Sequence, residues 1–538
     1  MNACEGTIKL NDIYFNGKIF TSNPSQPYAS TMVVRDGRIT WIGDQKDLKE
    51  VDGNTIDLKG RRVLPGFIDA HMHPFFLADC ISQIACTPPI TNSIEELLQH
   101  ISKKLEEQGT DAWIEGWGFD EGKLKEHRTP TRWDLDKVAP STPVVIIRTC
   151  CHIIVANSKA LKMAGIDKNT SNPHGGQIDK DENGELTGIL RESAREMIFN
   201  IVPTKAFEES ATNLANLSPI LLAHGITSIT EMLARTGAIE YFDLYNRARE
   251  KGLKQRTVLY YITWDIDKSS TLKKEMVCSD NPIYIGGIKI LADGSVSGKT
   301  AWIDPPYFSD DKNYGLSTTS REELLEASEY AKRNKIQLVV HAMGEKAIDL
   351  IVDTFYGKPG WLKDKPSIRI EHAAMPTNKA LKLAAEIGIA FVTQPIFQYA
   401  EIETYLKNLG PERTKKTYPV QAMLKAGIKV AFSSDAPATA WADPSDPFVS
   451  IKAAVTRVSY DGTDCGEEHR VDVSTAIEFY TREAQQIAGI PGVGQLTVGY
   501  QADFIVLDQD ILDISSDKIN DISVEETYIG GNLVYKKE

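Results

Sequence analysis

Cysteine is scarce in this sequence, with seven residues in a chain of 538. An odd number of cysteines without regular spacing does not form the disulfide framework of a small secreted protein. No stretch approaches the roughly 18 uninterrupted apolar residues of a membrane-spanning helix, and the first twenty residues lack the basic and apolar regions of a secretory leader. These absences favour a reduced, cytoplasmic protein that does not cross a membrane.

Positive charge is also in deficit, because 60 Lys and Arg residues face 74 Asp and Glu residues, a net charge of −14. Proteins that bind nucleic acid neutralise phosphates with clustered basic side chains, so we expect no nucleic-acid partner. Net charge does not specify what one pocket binds, and a small-molecule substrate is compatible with it. The hydrophobic share of 42% and the charged share of 25% are typical of a globular protein.

Both ends of the chain have the pattern of small antiparallel β units. The first sixty residues alternate apolar and polar positions around Asn-Gly and Asp-Gly turns, as in "DIYFNGKIFT" and "TMVVRDGRITWIGD". The stretch "GYQADFIVLDQDILDI" and a later Gly-Gly turn repeat this pattern near the C-terminus. We predict that residues 1–63 and 495–538 form one composite β-sandwich domain.

Between these ends, short apolar runs alternate with amphipathic helical stretches, which is the pattern of a (β/α) barrel. The runs interpreted as strands are "LPGFIDAHMH", "GITSITEM", "RTVLYYIT", "IGGIKILADGS", "IQLVVHAMG", "SIRIEHAAM", "IAFVTQPIF" and "KVAFSSDAP". Residues 64–494 are therefore predicted to form a distorted TIM barrel of the α/β class. A mixed, Gly-rich insertion, residues 75–203, separates the first two strands and is expected to cap the barrel mouth.

Polar side chains stand where these strands end, which is where TIM barrels carry their chemistry. In "RVLPGFIDAHMHP", His71 and His73 are two residues apart, so a strand aims both imidazoles to one side. His341, His372 and Asp435 are the candidate residues that close other runs, and Lys289 is a further candidate inside "GGIKILADGS".

This mixture of imidazole and carboxylate suits Zn²⁺ or a similar divalent ion with one position left open for water. Such an ion lowers the pKa of its water to about 7, and Asp435 is placed to move the proton. Taken singly, each histidine is more often a core residue than a ligand, and Asp435 in "SSDAP" could cap a helix. Their placement on separate strands favours the metal site.

Lys289 has two interpretations, because an isolated ammonium inside a barrel is costly. It could form a salt bridge with Asp293. Alternatively, its amine could react with CO₂ to give a carbamate whose oxygens bridge two cations. The sequence alone leaves both open.

The motifs "LPGFIDAHMHP", "GGIKILADGS", "VVHAMGEKAID", "RIEHAAMP" and "FSSDAP" occur in this order between the two β units. In this order and setting they resemble the amidohydrolase superfamily, in the branch of YtcJ-like proteins and N-substituted formamide deformylase. The resemblance implies one or two divalent ions, usually zinc. It implies that His71, His73 and Asp435 bind the first ion, that Lys289 is a carboxylated bridge, and that His341 and His372 bind the second. Asp435 would also be the general acid and base.

The insertion departs from that branch at one point. Where relatives commonly have Asp-Gly-His, this chain has Cys150, Cys151 and His152, so we expect an altered substrate pocket around an unaltered metal centre. His152 is a candidate substrate contact, with a structural role as the alternative. Trp117, Phe119 and Asp120 in "GWGFDEGKL" are further candidates, although aromatic residues in such a cap are more often hydrophobic filling.

The function expected from these residues is hydrolysis of a non-peptide carbon–nitrogen bond in a small amide, N-formyl or N-acyl compound, with water activated by the metal and Asp435 moving the proton. A cyclic amide, an ester or a deaminable imine could be the substrate of the same metal site. A metal-free scaffold or small-molecule sensor is the alternative of another class, but it predicts lost ligands, and all six candidate positions hold ligand-capable side chains. A homodimer is expected only because such barrels are often dimers.

Overall fold

The computed structural model describes residues 11–149, 153–173, 176–203, 205–237, 239–308 and 310–538. Its centre is a sheet of eight parallel strands, each hydrogen-bonded to the next along the chain. These strands are β1 (Phe67–Met72), β2 (Ile226–Ala234), β3 (Arg256–Ile262), β4 (Ile283–Leu291), β5 (Gln337–Ala342), β6 (Ile368–His372), β7 (Ala390–Thr393) and β8 (Val430–Phe432). The eight predicted runs are confirmed in position and in order. Because helices cover its outer face and the sheet curves on itself, nearly every strand residue is buried, which explains the almost continuous apolar runs.

Backbone hydrogen bonds connect the first and last strands of the sheet near their carboxyl ends. The Asp435 N–H donates to the His71 carbonyl at 2.8 Å, and the His73 N–H donates to the Ala436 carbonyl at 2.8 Å. This seam, formed by residues 71–73 and 434–436, joins the two segments that carry three of the predicted ligands.

Amphipathic helices surround the barrel. Ser320 begins one of them, where its hydroxyl accepts from the Glu323 N–H while the Glu323 carboxylate accepts from the Ser320 N–H. The helices that follow or precede the barrel strands are Phe207–Ala223, Tyr241–Lys251, Arg321–Asn334, Glu345–Phe355, Asn378–Ile387, Val420–Ala426, Val473–Phe479 and Arg482–Ala488. The last of these closes the amino-terminal end of the barrel, because Ile487 packs with barrel residues such as Val339 and Tyr284.

Shorter helices lie in the loops and the insertion. Three follow β7 and shape the barrel mouth: Pro395–Ala400, Ile402–Leu409 and Pro411–Lys415. The others are Pro74–Cys80, Ile94–Gln108, Arg132–Asp136, Ser158–Met163, Glu196–Phe199 and Pro447–Thr456.

The insertion between β1 and β2 contains a six-stranded sheet with an apolar core of its own. In spatial order its strands are Gly176–Lys180, Leu186–Glu192, Ile153–Ala156, Val144–Arg148, Ile114–Phe119 and Ile84–Ala85. It lies against the loops after β7 and β8, since Lys123 of the insertion hydrogen-bonds with the carbonyls of Ala400 and Ala440. The sequence predicted an insertion at the barrel mouth but not this sheet.

The two chain ends form a β-sandwich, as predicted. One sheet has the order Arg38–Gly43, Thr31–Arg35, Asn11–Phe15 and Gly53–Asp57. The other has the order Asn532–Lys536, Val524–Ile529, Phe504–Leu507, Arg62–Pro65, Lys18–Phe20 and Tyr28–Ala29, so it mixes strands from both ends. Tyr14, Met32, Phe504 and Tyr528 are buried in the core of this domain. The strand Arg62–Pro65 runs across the boundary predicted between residues 63 and 64.

Among the cysteines in the described ranges, Cys86, Cys278 and Cys465 are free thiols. Across those same ranges, none of the helices combines the length and the apolar character that a membrane crossing requires.

Candidate metal centre

The predicted ligands come together at the carboxyl ends of the barrel strands. His71 lies in β1 and His73 directly after it, while Lys289, His341 and His372 lie near the ends of β4, β5 and β6. Asp435 follows β8. Because parallel strands end on one side of the sheet, residues far apart in the sequence meet there.

Three donor atoms form the centre of this cluster. The Asp435 Oδ1 lies 3.2 Å from the His71 Nε2 and 3.0 Å from the His73 Nε2. All three residues present their ligand atoms within 4.8 Å of one another. His71 is fully buried, and the side chains of His73 and Asp435 are 13% and 8% exposed.

Glu371 fixes the orientation of His71. Its Oε2 lies 2.5 Å from the His71 Nδ1, which therefore carries the proton and leaves the Nε2 lone pair directed at Asp435. Burial alone would raise the pKa of Glu371, but the Arg369 guanidinium and His71 hold it well below its ordinary value. Arg369 binds this carboxylate through two nitrogens, at 2.6 and 2.9 Å, and its Nη2 also donates to the Ala70 carbonyl.

Glu231 of β2 lies behind His73. Its Oε1 is 3.6 Å from the His73 Nδ1, and its Oε2 accepts from the Tyr245 hydroxyl at 2.6 Å and from the Phe75 N–H at 3.1 Å. Burial opposes protonation of His73, but the carboxylates of Asp435 and Glu231 outweigh it and raise the pKa of the imidazole.

His341 and His372 form the adjoining part of the cluster, with ring centroids 4.4 Å apart. Gln394 donates its amide to the Ser433 hydroxyl at 2.8 Å, so its carbonyl oxygen faces the His372 Nδ1, also at 2.8 Å. The His372 Nδ1 therefore carries the proton, and the Nε2 is left as a lone-pair donor. Burial lowers the pKa of His341 to about 4 and that of His372 well below its ordinary value, so both rings are neutral near pH 7.

Lys289 is 3% exposed, and its Nζ lies 3.0 Å from the His71 Nε2. Burial lowers the pKa of its amine, against the raising influence of the Asp435 and Glu371 carboxylates. The salt bridge to Asp293 is not formed. Asp293 instead accepts from the backbone N–H groups of Trp302, Met343 and Gly344, at 2.8 to 3.0 Å.

Asp435 adopts a left-handed backbone conformation with φ of 57°, which places its side chain in the cluster. Burial would raise the pKa of this carboxyl, but the surrounding His71 and His73 outweigh it and hold the pKa well below the ordinary value. The neighbouring Ser434 supports the turn by donating its hydroxyl to Asp69 at 2.5 Å.

These residues fit a divalent cation. Two ligands placed 2.0–2.1 Å from a tetrahedral ion lie about 3.3 Å apart, close to the 3.0 and 3.2 Å between the Asp435 Oδ1 and the imidazole nitrogens. That carboxylate oxygen is buried without a hydrogen-bond partner in the described part of the chain. The His71 Nε2 and the Asp435 Oδ1 both present lone pairs at 3.2 Å, and a cation bound between them would stabilise that arrangement.

The candidate substrate contacts are placed differently from one another. Trp117 is 8% exposed and lines a cavity of about 260 Å³ between the insertion and the barrel, together with Leu77 and Asp443. Phe119 is fully buried in the apolar core of the insertion. This position agrees with the alternative interpretation, in which the aromatic ring fills the core of the cap. Asp120 is 7% exposed and accepts from the Gly122 N–H at 2.9 Å. His152, with Cys150 and Cys151, lies outside the described residues.

Sequence reasoning missed the residues that hold the ligands in place. Glu231, Glu371 and Gln394 lie within or directly after barrel strands, and each contacts a candidate ligand. A carboxylate in the middle of an otherwise buried strand, as in "SITEM" and "RIEH", was the available signal.

Comparison with known proteins gives matches over nearly the whole chain. A model described as the amidohydrolase family matches residues 54–535. The chain is 30% identical to the YtcJ protein of Bacillus subtilis, over 98% of this chain and 100% of that protein. It is 27% identical to the N-substituted formamide deformylase of Arthrobacter pascens, over 97% of this chain and 98% of that enzyme. The crystal structure of an uncharacterized metal-dependent hydrolase from Pyrococcus horikoshii superposes with a TM-score of 0.75 at 28% identity, covering 94% of this chain and 99% of the other.

Proposed function

The chain belongs to the amidohydrolase family, and on that premise we propose that it is a metal-dependent hydrolase that cleaves a non-peptide carbon–nitrogen bond in a small molecule. An amide, N-formyl or N-acyl compound is the substrate class we favour. The observation that carries the proposal is the convergence of His71, His73 and Asp435 within 4.8 Å at the barrel mouth. The similarity to an enzyme named N-substituted formamide deformylase supports the bond class.

His71, His73 and Asp435 would hold the first divalent ion, which we propose to be zinc, and Lys289, His341 and His372 would complete a site for a second. When bound, such an ion supplies a Lewis acid that acidifies water and polarises a carbonyl oxygen. The chain's own contribution is orientation, because Glu371 and Gln394 fix the protons of His71 and His372 on the nitrogens that face away from the centre.

Asp435 is the proposed general base and acid. Its low pKa keeps the carboxylate ionised near neutral pH, ready to take a proton from water that attacks the substrate carbonyl. The same carboxyl would then give that proton to the departing nitrogen as the carbon–nitrogen bond breaks. Its 8% exposed side chain allows contact with substrate while bulk water is largely excluded.

Lys289 would carry a carbamate, formed when its neutral amine attacks CO₂ and releases one proton. Burial favours the neutral amine, since it lowers the pKa of Lys289. The absence of an Asp293 salt bridge in the described structure leaves the amine available. Mass spectrometry under native conditions should show an added 44 Da, the mass of CO₂, that a Lys289→Met variant lacks.

The proposal is tested by measuring metal content and activity on the same samples. Wild-type protein, a His71→Ala/His73→Ala variant and a His127→Ala control would be analysed for bound metal and assayed on a panel of N-formyl and N-acyl amines. His127 is an exposed histidine of the insertion, so its loss should change neither quantity. Wild-type protein that binds no metal after zinc or manganese is supplied would instead favour the scaffold or sensor.

Asp435→Asn separates metal binding from proton transfer. The amide can still bind an ion through its oxygen but cannot accept the proton, so turnover should fall by about 10²–10⁴-fold. Metal content is measured alongside. Full turnover by a metal-loaded Asp435→Asn protein would contradict the role proposed for Asp435.

A further inference from the structure

A second cavity lies at the opposite, amino-terminal end of the barrel. It measures about 190 Å³ and lies beside the first residue of β6 and the residue before β7. We call it the lysine pocket and define it by Lys332, Lys358, Trp361, Lys365, Ser367 and Ile387. It is separate from the metal centre, which lies at the carboxyl ends of the same strands.

The charge of the lysine pocket is positive. Three lysines line it, and none of its described lining residues is acidic. Lys332 is paired with Glu329 at 2.6 Å and lies over the Trp361 ring. The side-chain amines of Lys358 and Lys365 form no ion pair or hydrogen bond within the described ranges, although the Asp364 carboxylate lies near enough to Lys365 to raise its pKa. The pocket is therefore locally positive in a protein with a net charge of −14.

Lys365 is held in the pocket wall by packing. Its stem crosses Gly489, where a Cβ atom would lie 2.2 Å from the Lys365 Cδ, so only glycine leaves it room. Burial and the nearby Arg369 lower the pKa of Lys365 to about 8, which still leaves most molecules charged at pH 7. The lysine also lies near the C-terminal end of the helix Arg482–Ala488, which favours a cation.

Ser367 supplies a second, independent donor. It is 7% exposed, and its Oγ accepts the N–H groups of Trp361 at 2.7 Å and Leu362 at 2.8 Å. Its own hydroxyl proton has no acceptor in the described ranges. A buried donor without an acceptor costs free energy. A ligand with hydrogen-bond acceptors would satisfy the donors of both Ser367 and Lys365.

We propose that the lysine pocket binds a small organic anion, whose carboxylate or phosphate oxygens accept from Lys365 and Ser367 while an apolar part lies against Trp361 and Ile387. The pocket is smaller than the roughly 300–1,000 Å³ of sites for drug-sized ligands, which limits the ligand to a small acid. A phosphate and a carboxylate both accept hydrogen bonds, and titration with one ligand of each kind distinguishes them.

Calorimetric titration of the metal-loaded protein with benzoate, phenyl phosphate and neutral benzamide tests the proposal. At least one anion should bind and benzamide should not. Lys365→Met should weaken anion binding by about ten- to hundredfold, because it removes a charged hydrogen-bond donor. The matched control is Lys363→Met, an exposed lysine of the same loop that does not line the pocket.

Carboxylates also bind metal ions, so only binding that depends on Lys365 supports the pocket. Equal affinity of wild type and Lys365→Met would overturn the proposal, and so would the absence of anion binding by the wild type at about 10 mM ligand, ten times a Kd of 1 mM. If Lys365→Met folds poorly, Lys365→Gln takes its place, because the neutral amide removes the charge at the same position and keeps a polar side-chain end. Retained hydrolase activity in these variants separates a failed pocket from a failed catalytic proposal.

Discussion

At the scale of single residues, the metal centre depends on a fully buried ion pair. Arg369 and Glu371 are both 0% exposed, and Glu371 contacts His71 on its other side. Two desolvated charges offset each other only while both are present, since an uncompensated buried charge costs several kcal/mol. The pair therefore couples the orientation of a ligand to the stability of the barrel.

Glu371→Gln should lower stability and metal affinity together. The substitution leaves the Arg369 charge unpaired, which should lower the free energy of unfolding by about 3–5 kcal/mol. It also weakens the hydrogen-bond acceptor that orients His71, which should lower metal affinity by about 10–100-fold. Melting temperature and a competitive chelator titration measure the two effects. Glu467→Gln, which breaks an exposed pair with Arg470, is the control and should change neither. A Glu371→Gln protein as stable as wild type would show that the pair contributes little.

The meeting of the six candidate residues at one end of the barrel could be predicted from the sequence, because each lies at or near the end of an apolar run. Glu231 and Glu371 stand out as carboxylates inside buried strands, but the candidate ligand that each one contacts could not be predicted. The contacts that reveal their role join residues of different strands, and no local pattern records such a pairing. The left-handed backbone conformation of Asp435 could not be predicted from the sequence either, because non-glycine residues seldom adopt it.

At the scale of elements, Lys123 fastens the insertion to the barrel mouth. Its ammonium donates to the carbonyl oxygens of Ala400 and Ala440, which follow β7 and β8, and lies 4.9 Å from the centroid of the Tyr460 ring. Burial lowers the pKa of this lysine, and nearby carboxylates including Glu401 act in the opposite direction. One side chain thus bridges three segments of the mouth.

Lys123→Met should loosen the insertion without unfolding the barrel. Two carbonyls lose their donor, so hydrogen exchange in residues 114–127 should become about tenfold faster, and KM should rise more than kcat falls. Lys125→Met, an exposed lysine two residues away, is the control. Unchanged exchange rates in the Lys123 variant would mean that the apolar contacts alone hold the insertion.

Glu401, beside Lys123 at the barrel mouth, makes the stability of the protein depend on pH. Burial raises its pKa to about 7, above the roughly 4.3 of an unfolded chain. The folded state therefore binds the proton more tightly, and the contribution of Glu401 to stability falls as pH rises from about 4.3 to 7.

Glu401→Gln mimics the protonated side chain and should gain stability over wild type by about 1–3 kcal/mol at pH 8, with no gain at pH 4. Unfolding measured at both pH values checks this. Glu412→Gln, at an exposed position on a neighbouring helix, should show the same stability as wild type at each pH. A gain of equal size at pH 4 would rule out titration of Glu401 as its cause.

The eight barrel strands were predictable because parallel strands buried on both faces leave an unbroken apolar signal. The sheet of the insertion was not, because its strands are separated by polar and Gly-rich segments that form no regular alternation with helices. Three segments of that sheet are recognisable as strands only from their pairing with one another: Ile114–Phe119, Val144–Arg148 and Ile153–Ala156.

At the scale of the whole molecule, the two ends of the chain share one apolar core. Phe504 stacks on Tyr528 at 4.3 Å and contacts Tyr14 edge-on at 5.0 Å, so residues from both ends fill one space. Arg256, at the start of β3, forms an ion pair with Asp503 at 2.9 Å. The sandwich is therefore attached directly to the barrel.

Phe504→Ala should destabilise the whole molecule, at a cost of about 3–5 kcal/mol for the cavity left in this core. Because the domains share contacts, metal release on heating should shift to lower temperature together with unfolding. Leu533→Ala removes a half-exposed apolar side chain of the same domain and serves as the control. Metal release at the wild-type temperature despite earlier unfolding of the sandwich would show that the two domains unfold independently.

The seam between β1 and β8 sets the time at which the metal centre can form during synthesis. His71 and His73 leave the ribosome early, but the carboxylate that completes their donor set, and the backbone hydrogen bonds that align it, come from residues 434–436. A nascent chain that has exposed only its first strands has two histidines and no third ligand. If these residues hold a metal as proposed, the complete site can bind it only after most of the barrel has been translated, and metal added to the finished chain should fill a site left empty by chelation during translation.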